Sequence, residues 1–228
     1  MAKKPISKRK ETHPDFFRDP RKAYKGRVYH TAATHPPSGQ KIMGLAMALD
    51  RRNVIEIGSG HIPTSFFIKP EKLTLLDISS DNHERAQRYL QEERKKRGDL
   101  PKDGQMKFLL GDAGKGVPRA LKKQKFSSAM ILEMLTHLPA SERTKMLDKW
   151  AGQTDSFLIV DRHQKGKAPG EKGRNIMPEY MDGEGIKAHL ERKGFETLHY
   201  STKTYWWPNA QGKNNPHTYY FLLSAKKH

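Results

Sequence analysis

Acidic side chains lie at or near the ends of several apolar stretches of this chain, and a glycine turn follows the first of them. In VIEIGSGHIP (54–63), an apolar run that contains Glu56 breaks into Gly58, Ser59 and Gly60. Carboxylates accept hydrogen bonds from hydroxyl and amino groups, and glycines let a ligand approach the backbone closely. The acids at these places are Glu56, Asp77, Asp112 and Glu133. They suit the binding of a polar small molecule, while the glycines alone are equally compatible with a tight turn that holds no ligand.

The apolar runs alternate with helical patterns along most of the chain. Strands are predicted at 54–57, 73–76, 106–110, 129–132, 157–160, 195–203 and 218–224, and helices at 39–50, from 81, at 141–151 and at 183–193. Such alternation is typical of βαβ units. We therefore expect an α/β fold with a seven-stranded, mostly parallel sheet, in which the last two strands supply an antiparallel edge. Residues 208–217 are predicted to form the loop between those two strands.

Parallel strands end at one edge of their sheet, where ligands of such folds bind. Asp77 follows Gly58 by nineteen residues, and an acid at this place can accept hydrogen bonds from both hydroxyls of a ribose. The phosphate pattern G-x-x-x-x-G-K-[ST] fails, because Leu109 and Gly116 occupy two of its required positions. The dinucleotide pattern G-x-G-x-x-G fails at Pro63, which also lacks an N–H for a pyrophosphate. The turn therefore favours a nucleoside without a pyrophosphate.

Four segments in this order resemble the motifs of one enzyme family. VIEIGSGHI resembles motif I of the class I S-adenosylmethionine-dependent methyltransferases, LTLLDIS motif II, LLGDA motif III, and ILEMLTHLP the segment after the fourth strand. The resemblance spans roughly residues 40–224. It implies a Rossmann-like three-layer sandwich, S-adenosyl-L-methionine as the cofactor, and transfer of its methyl group to an acceptor.

The resemblance assigns one group of residues to the methionine end of that cofactor. Glu56 would fix contacts to the methionine end, and Gly58, Ser59 and Gly60 would let the amino-acid part lie against the backbone. Glu133 would lie near the methionine moiety and the mouth of the substrate site.

A second group is assigned by the resemblance to the nucleoside. Asp77 would bind the ribose hydroxyls, and Ile78 would pack on the adenine ring. Asp112 would accept from the adenine amino group, and Ala113 would supply a backbone N–H. The chain departs from the family at Ile62-Pro63, where a third glycine is common. Whether this turn permits tight cofactor binding is a question that the sequence leaves open.

The methyl acceptor has weaker signals. His137 and His163 follow predicted strands and are candidate bases, with a structural or surface role as the alternative for each. Trp206 and Trp207 would either stack on a planar substrate or cover the sheet edge, and we favour the second. The chain lacks the Asn/Asp-Pro-Pro-Tyr/Phe tetrad, paired cysteines for C5-pyrimidine chemistry and an evident Lys-Asp-Lys-Glu arrangement for 2′-hydroxyl methylation. This argues against base-amino methylation of DNA or RNA by the best-known scheme. We expect no metal site.

The composition of the chain is compatible with several classes of binding partner. The chain has 43 Lys and Arg against 25 Asp and Glu, a formal net charge of +18, and no cysteine. Such a charge suits RNA or another anionic partner, so the acceptor is a small molecule, RNA or protein. A catalytically inactive methyltransferase-fold module that binds nucleic acid is the alternative. No apolar stretch is long enough to span a membrane, and we expect a cytoplasmic protein with a basic, partly disordered arm (1–40) and a methyltransferase domain (41–228).

Overall fold

Seven strands form a single sheet whose central strands are buried on both faces. The computed structural model describes residues 36–96, 100–138, 140–162, 183–208 and 214–227. The strands are β1 (Val54–Ile57), β2 (Leu73–Asp77), β3 (Met106–Leu110), β4 (Ser128–Leu132), β5 (Ser156–Arg162), β6 (Phe195–Pro208) and β7 (Asn214–Lys226). Their order across the sheet is β3-β2-β1-β4-β5-β7-β6. All neighbouring pairs are parallel except the two that involve β7.

Helices cover both faces of this sheet. Alternate side chains of each strand point to opposite sides, so both faces present apolar side chains to the helices. On one face, helices α1 (Pro36–Ala46) and α2 (Ser80–Lys96) pack over Val54, Leu75 and other apolar residues. On the opposite face, α3 (Ala140–Ala151) and α4 (Gly183–Arg192) pack over Ile55 and its neighbours. The predicted three-layer sandwich with a mostly parallel sheet is therefore confirmed.

The strand order identifies the place where a ligand would bind. It reverses between β1 and β4, which are neighbours although β2 and β3 lie between them in the sequence. In open α/β sheets, ligands bind in the crevice at such a switch point, outside the carboxyl ends of the strands. The glycine turn follows β1, and Glu133 follows β4.

The connection from β1 to β2 contains no α-helix. Its only helical segment is a single 3-10 helix, Thr64–Ile68, which Pro63 precedes in an extended conformation. The turn therefore leads into a short, buried loop.

The last two strands are longer than the sequence predicts. β6 and β7 pair from Phe195–Lys226 to Pro208–Asn214, whereas β5 ends at Arg162, opposite Tyr219. Five further residue pairs, Thr204–Thr218 to Pro208–Asn214, extend past β5, and they span about 17 Å at about 3.4 Å per residue. We call this extension the hairpin arm. The predicted loop 208–217 is thus wrong at both ends, and residues 209–213 lie outside the described residues.

The antiparallel strand β7 lies next to the edge strand β6, so the edge strand itself points in the same direction as β5. Within the described part of the chain, no helix combines the length and apolar character needed to cross a membrane.

Candidate functional site

In the glycine turn after β1, a neighbouring side chain blocks the Cβ position of Gly58, whereas the Cβ position of Gly60 is open. Gly58 has a φ of 72°, and a Cβ there would lie 2.6 Å from Cγ of Met134. Gly60 has a φ of 61°, but no described heavy atom lies within 4 Å of its Cβ position. Both backbone conformations favour glycine. Gly58 is therefore required by packing under the segment that follows β4, and Gly60 faces open space.

Between these glycines, Ser59 carries a buried hydroxyl. Its side chain is 4% exposed, and its Oγ has no hydrogen-bond partner among the described residues. A buried polar atom without a partner costs free energy, so native proteins rarely keep one without a reason. The hydroxyl of Ser59 is the polar atom of this turn that a bound ligand would satisfy.

Asp77, at the end of β2, holds the turn in place. Its Oδ2 accepts from Gly60 N at 2.8 Å, and its Oδ1 accepts from Ser79 N at 2.9 Å and from Asn82 Nδ2 at 3.1 Å. A carboxylate has about four acceptor positions, so about one remains, on Oδ2. Asp77 can therefore brace the turn and still accept one hydrogen bond from a hydroxyl.

Glu56, in the middle of a buried strand, braces the loop beyond the turn. Its carboxylate accepts from Thr64 N at 3.2 Å, from Ser65 N at 2.9 Å and from the Ser65 hydroxyl. Burial raises the pKa of Glu56 to about 7, although these three bonds oppose the shift. This carboxylate serves the backbone of the 3-10 helix Thr64–Ile68, and any contact with the methionine end of a cofactor remains a prediction.

The remaining nucleoside candidates cluster after β2 and β3. Gly111 N donates to Asp77 O at 2.8 Å, which brings the ends of these strands together. Asp112 Oδ1 accepts from Gly114 N at 3.0 Å, and its Oδ2 lies 3.8 Å from Lys115 Nζ. Ala113 is buried, and Ile78 is partly exposed beside Asp77. The predicted adenine contacts therefore occupy one end of the crevice.

Glu133 occupies a strained position directly after β4. Its φ is 53°, and its backbone N–H donates to Val160 O at 2.7 Å. A residue other than glycine in the left-handed region costs about 1–2 kcal/mol, and such strain is often found at functional sites. Burial raises the pKa of Glu133 to about 8, assisted by Asp161 and opposed by Arg162.

The end of β5 completes a charged cluster around Glu133. Asp161 is 1% exposed and accepts from Thr136 N at 3.1 Å. Burial also raises the pKa of Asp161. Arg162 interacts electrostatically with both Glu133 and Tyr219. Two acids, an arginine and a tyrosine from β4, β5 and β7 thus meet on the far side of the switch point.

The predicted acceptor residues are only partly placed. The 3-10 helix Leu135–His137 places the backbone of His137 just after Glu133, but the His137 side chain is not among those described. His163 lies outside the described residues. Trp206 is in β6 and 63% exposed, so the favoured expectation that it covers the sheet edge is wrong. The side chain of Trp207 is likewise not described.

Sequence reasoning missed the partners of these residues. Asn82 and Ser65 hydrogen-bond to Asp77 and Glu56, and Met134 fills the space beside Gly58. No short sequence pattern points to them. Arg162 could have been predicted from the sequence, because it ends a strand at the same edge of the sheet. Glu133 was predicted because it follows such a strand.

No protein-family model matches the chain, and no curated protein matches it, but many solved structures do. An S-adenosylmethionine-dependent methyltransferase from Anabaena variabilis is 13% identical, with a TM-score of 0.64 over 98% of this chain and 100% of its own. Magnesium protoporphyrin IX methyltransferase from Synechocystis, with bound S-adenosylhomocysteine, is 16% identical, with a TM-score of 0.62 over 94% and 97%. The chain has the fold of the class I methyltransferases.

This fold is shared with proteins that act on different acceptors. A protein from Pyrococcus horikoshii described as a candidate RNA methyltransferase is 13% identical, with a TM-score of 0.58 over 84% of each chain. At such identities the methyltransferase fold is shown, while the acceptor is not.

Proposed function

We propose that the protein is an S-adenosylmethionine-dependent methyltransferase. The observation that carries this proposal is the buried hydroxyl of Ser59, which has no hydrogen-bond partner among the described residues and lies between Gly58 and Gly60 at the switch point of a methyltransferase fold. We place the activity in the cytoplasm, because a chain without cysteine suits a reducing compartment.

The residues of the turn fit the cofactor. Ser59 can pair its hydroxyl, and the open side of Gly60 admits a ligand against the backbone. Asp77 retains about one acceptor position, enough for one ribose hydroxyl without rearrangement. No described atom other than those of its chain neighbours lies within 4 Å of a Cβ placed at Gly60, which supports access of a ligand from this side.

The other side of the switch point would hold the acceptor. When bound, S-adenosylmethionine supplies a methyl group on a positively charged sulfur, and transfer depends mainly on alignment. An acceptor that must lose a proton also needs a base with a pKa near the working pH. Glu133 meets this requirement, since burial raises its pKa to about 8, and the residue after it packs on Gly58. We assign proton acceptance to Glu133, with a small molecule, RNA or protein as the acceptor.

Calorimetric titration with S-adenosylhomocysteine tests the cofactor site. Ser59→Ala removes a hydroxyl that has no described partner, so folding should be unaffected while affinity falls about three- to tenfold. Asp77→Asn should abolish measurable binding, because the amide places N–H groups against donors that Asp77 now satisfies. Asp103→Asn is the control, since Asp103 is an exposed surface acid paired with Arg94.

Urea unfolding of each variant separates binding from folding. Native binding in the micromolar range that weakens in Ser59→Ala at unchanged stability would support the proposal. No binding to the native protein would overturn it, and the inactive module would then become the leading hypothesis.

A further inference from the structure

A cluster of basic side chains lies on the outer strand of the sheet, away from the glycine turn. Lys41 of α1 donates from Nζ to Ser201 Oγ at 2.7 Å, and His199 Nε2 lies 2.9 Å from the same oxygen. Lys203 belongs to the same row, because residues 199, 201 and 203 of β6 alternate onto one face. We call Lys41, His199, Ser201 and Lys203 the basic cluster.

This cluster contains no compensating acid. Among the residues that the structure describes, no carboxylate forms an ion pair with Lys41 or Lys203. Burial and the charge of Lys203 lower the pKa of Lys41, and burial and the charge of Lys41 lower the pKa of His199. The folded protein therefore holds like charges together at a cost in free energy that a bound anion would offset.

The geometry of the cluster suits a phosphate group. Lys41 is held in position by Ser201 and by the ring of Phe221, whose centroid lies 4.6 Å from Nζ. Lys203 is exposed, so one side of the cluster is open to solvent. Ammonium, imidazole and hydroxyl groups together can surround the oxygens of one phosphate with hydrogen-bond donors.

The position of the cluster relates it to the methyltransferase site. Lys203 pairs with Tyr219, and Tyr219 pairs with Arg162, so the cluster is level with the charged group around Glu133. β6 is three strands from β4, a separation of about 14 Å at about 4.8 Å per strand. About four stacked nucleotides cover that distance at about 3.4 Å each. Beyond Lys203, the hairpin arm presents the exposed ring of Trp206, but on the opposite face of the sheet from the basic cluster.

We propose that the basic cluster binds a backbone phosphate of a single-stranded nucleic acid that also serves as the methyl acceptor. The phosphate site stands on its own observations, whereas its role in holding the acceptor rests on the function proposed above. The net charge of +18 favours a polyanion such as a nucleic acid over a small anion.

Fluorescence anisotropy with labelled single-stranded RNA and DNA of one sequence, roughly ten nucleotides long, tests the site across a series of salt concentrations. Lys203→Gln and Lys41→Gln should each lower the slope of log affinity against log salt by about 0.7, the value for one phosphate contact on a single strand. Lys107→Gln is the matched control, because Lys107 is an exposed lysine on β3, the opposite edge of the sheet. Its slope should equal that of the native protein.

Several results would overturn the proposal. They are absence of binding to either strand, slopes for Lys203→Gln and Lys41→Gln equal to the control slope, and stronger competition by polyglutamate than by unlabelled RNA. Preference for RNA or DNA would identify the nucleic acid. Lys203 is exposed, so its variant should fold even if Lys41→Gln does not.

Calorimetry with S-adenosylhomocysteine on the same samples separates the two proposals. If Lys41→Gln and Lys203→Gln lower the salt slope but still bind S-adenosylhomocysteine, the result would support both the phosphate site and the proposed enzyme. Cluster-dependent nucleic-acid binding by a protein that does not bind S-adenosylhomocysteine would retain the phosphate site and reject the enzyme.

Discussion

The carboxyl edge of the sheet has two parts that use charged groups in different ways. In β1 and at the end of β2, Glu56 and Asp77 each accept hydrogen bonds from three donors in the segments that follow these strands. At the ends of β4 and β5, Glu133 sits in a left-handed conformation beside Asp161, and burial raises the pKa of Glu133 to about 8, compared with about 7 for Glu56. The first part braces the segments that follow its strands, whereas the second holds its acid, Glu133, in a strained backbone conformation.

This contrast suggests a division of labour. A cofactor that is similar in every turnover is best met by a rigid, preformed surface, and hydrogen bonds to loop backbones provide that rigidity. An acceptor that must lose a proton also needs a base whose pKa lies near the working pH. The largest expected losses of stability on substitution therefore lie in the braced part.

Gly58→Ala should produce the largest loss of stability. Alanine at a φ of 72° is strained, and its Cβ would lie 2.6 Å from Met134 Cγ, so we expect a loss of about 2–4 kcal/mol. Urea unfolding measures it. Gly104→Ala is the control, because no described atom lies within 4 Å of its Cβ position. Adding Met134→Ala should restore only the steric part, and a single-variant loss below about 1 kcal/mol would contradict the packing described here.

Glu56→Gln should cost about 1–3 kcal/mol at neutral pH. Both carboxylate oxygens of Glu56 accept hydrogen bonds, so an amide would direct its NH₂ group against Thr64 N or Ser65 N. Chemical unfolding measures the cost, and Glu71→Gln, at an exposed position, provides the control. Equal stabilities of the two variants would show that Glu56 does not brace the loop.

Glu133→Gln should stabilise the protein at high pH, in contrast to the destabilising Glu56→Gln. The pKa of Glu133 is about 8 in the folded protein and about 4.3 when unfolded, so the folded state binds the proton more tightly. The native protein therefore loses stability as the pH rises from about 4.3 to about 8, and glutamine removes that loss. With these pKa values, the variant should gain about 4 kcal/mol over the native protein between about pH 5 and pH 9. Urea unfolding at both pH values checks this, and parallel curves would refute it.

At the carboxyl edge of the sheet, the sequence correctly predicts the features that depend on local patterns. β1 and β3 have the predicted bounds, because short apolar runs end at glycine in both places. The acids at the strand ends were found by the same rule. The class I fold follows from the order of four motifs, and the similarity to solved structures confirms it.

The sequence does not predict features that depend on distant partners. Residues 208–217 contain proline, glycine and asparagine, which indicate a loop, yet pairing across the hairpin continues β6 to Pro208 and starts β7 at Asn214. The strain at Glu133 and the bonds from Ser65 to Glu56 arise only when separate segments pack together.

Trp206→Ala should have the smallest effect on folding, because its side chain is 63% exposed. We expect a change within about 0.5 kcal/mol, as for other surface positions, whereas Tyr205→Ala should cost about 2–4 kcal/mol because Tyr205 packs against Tyr219 and Phe221. If the hairpin arm stacks a base, Trp206→Ala should also weaken binding of single-stranded RNA by about 1–3 kcal/mol, which anisotropy measures. If Trp206→Ala folds stably and binds RNA as tightly as the native protein, the nucleic-acid contact is restricted to the basic cluster. Neither result would change the interpretation of the braced part of the edge around Glu56 and Asp77.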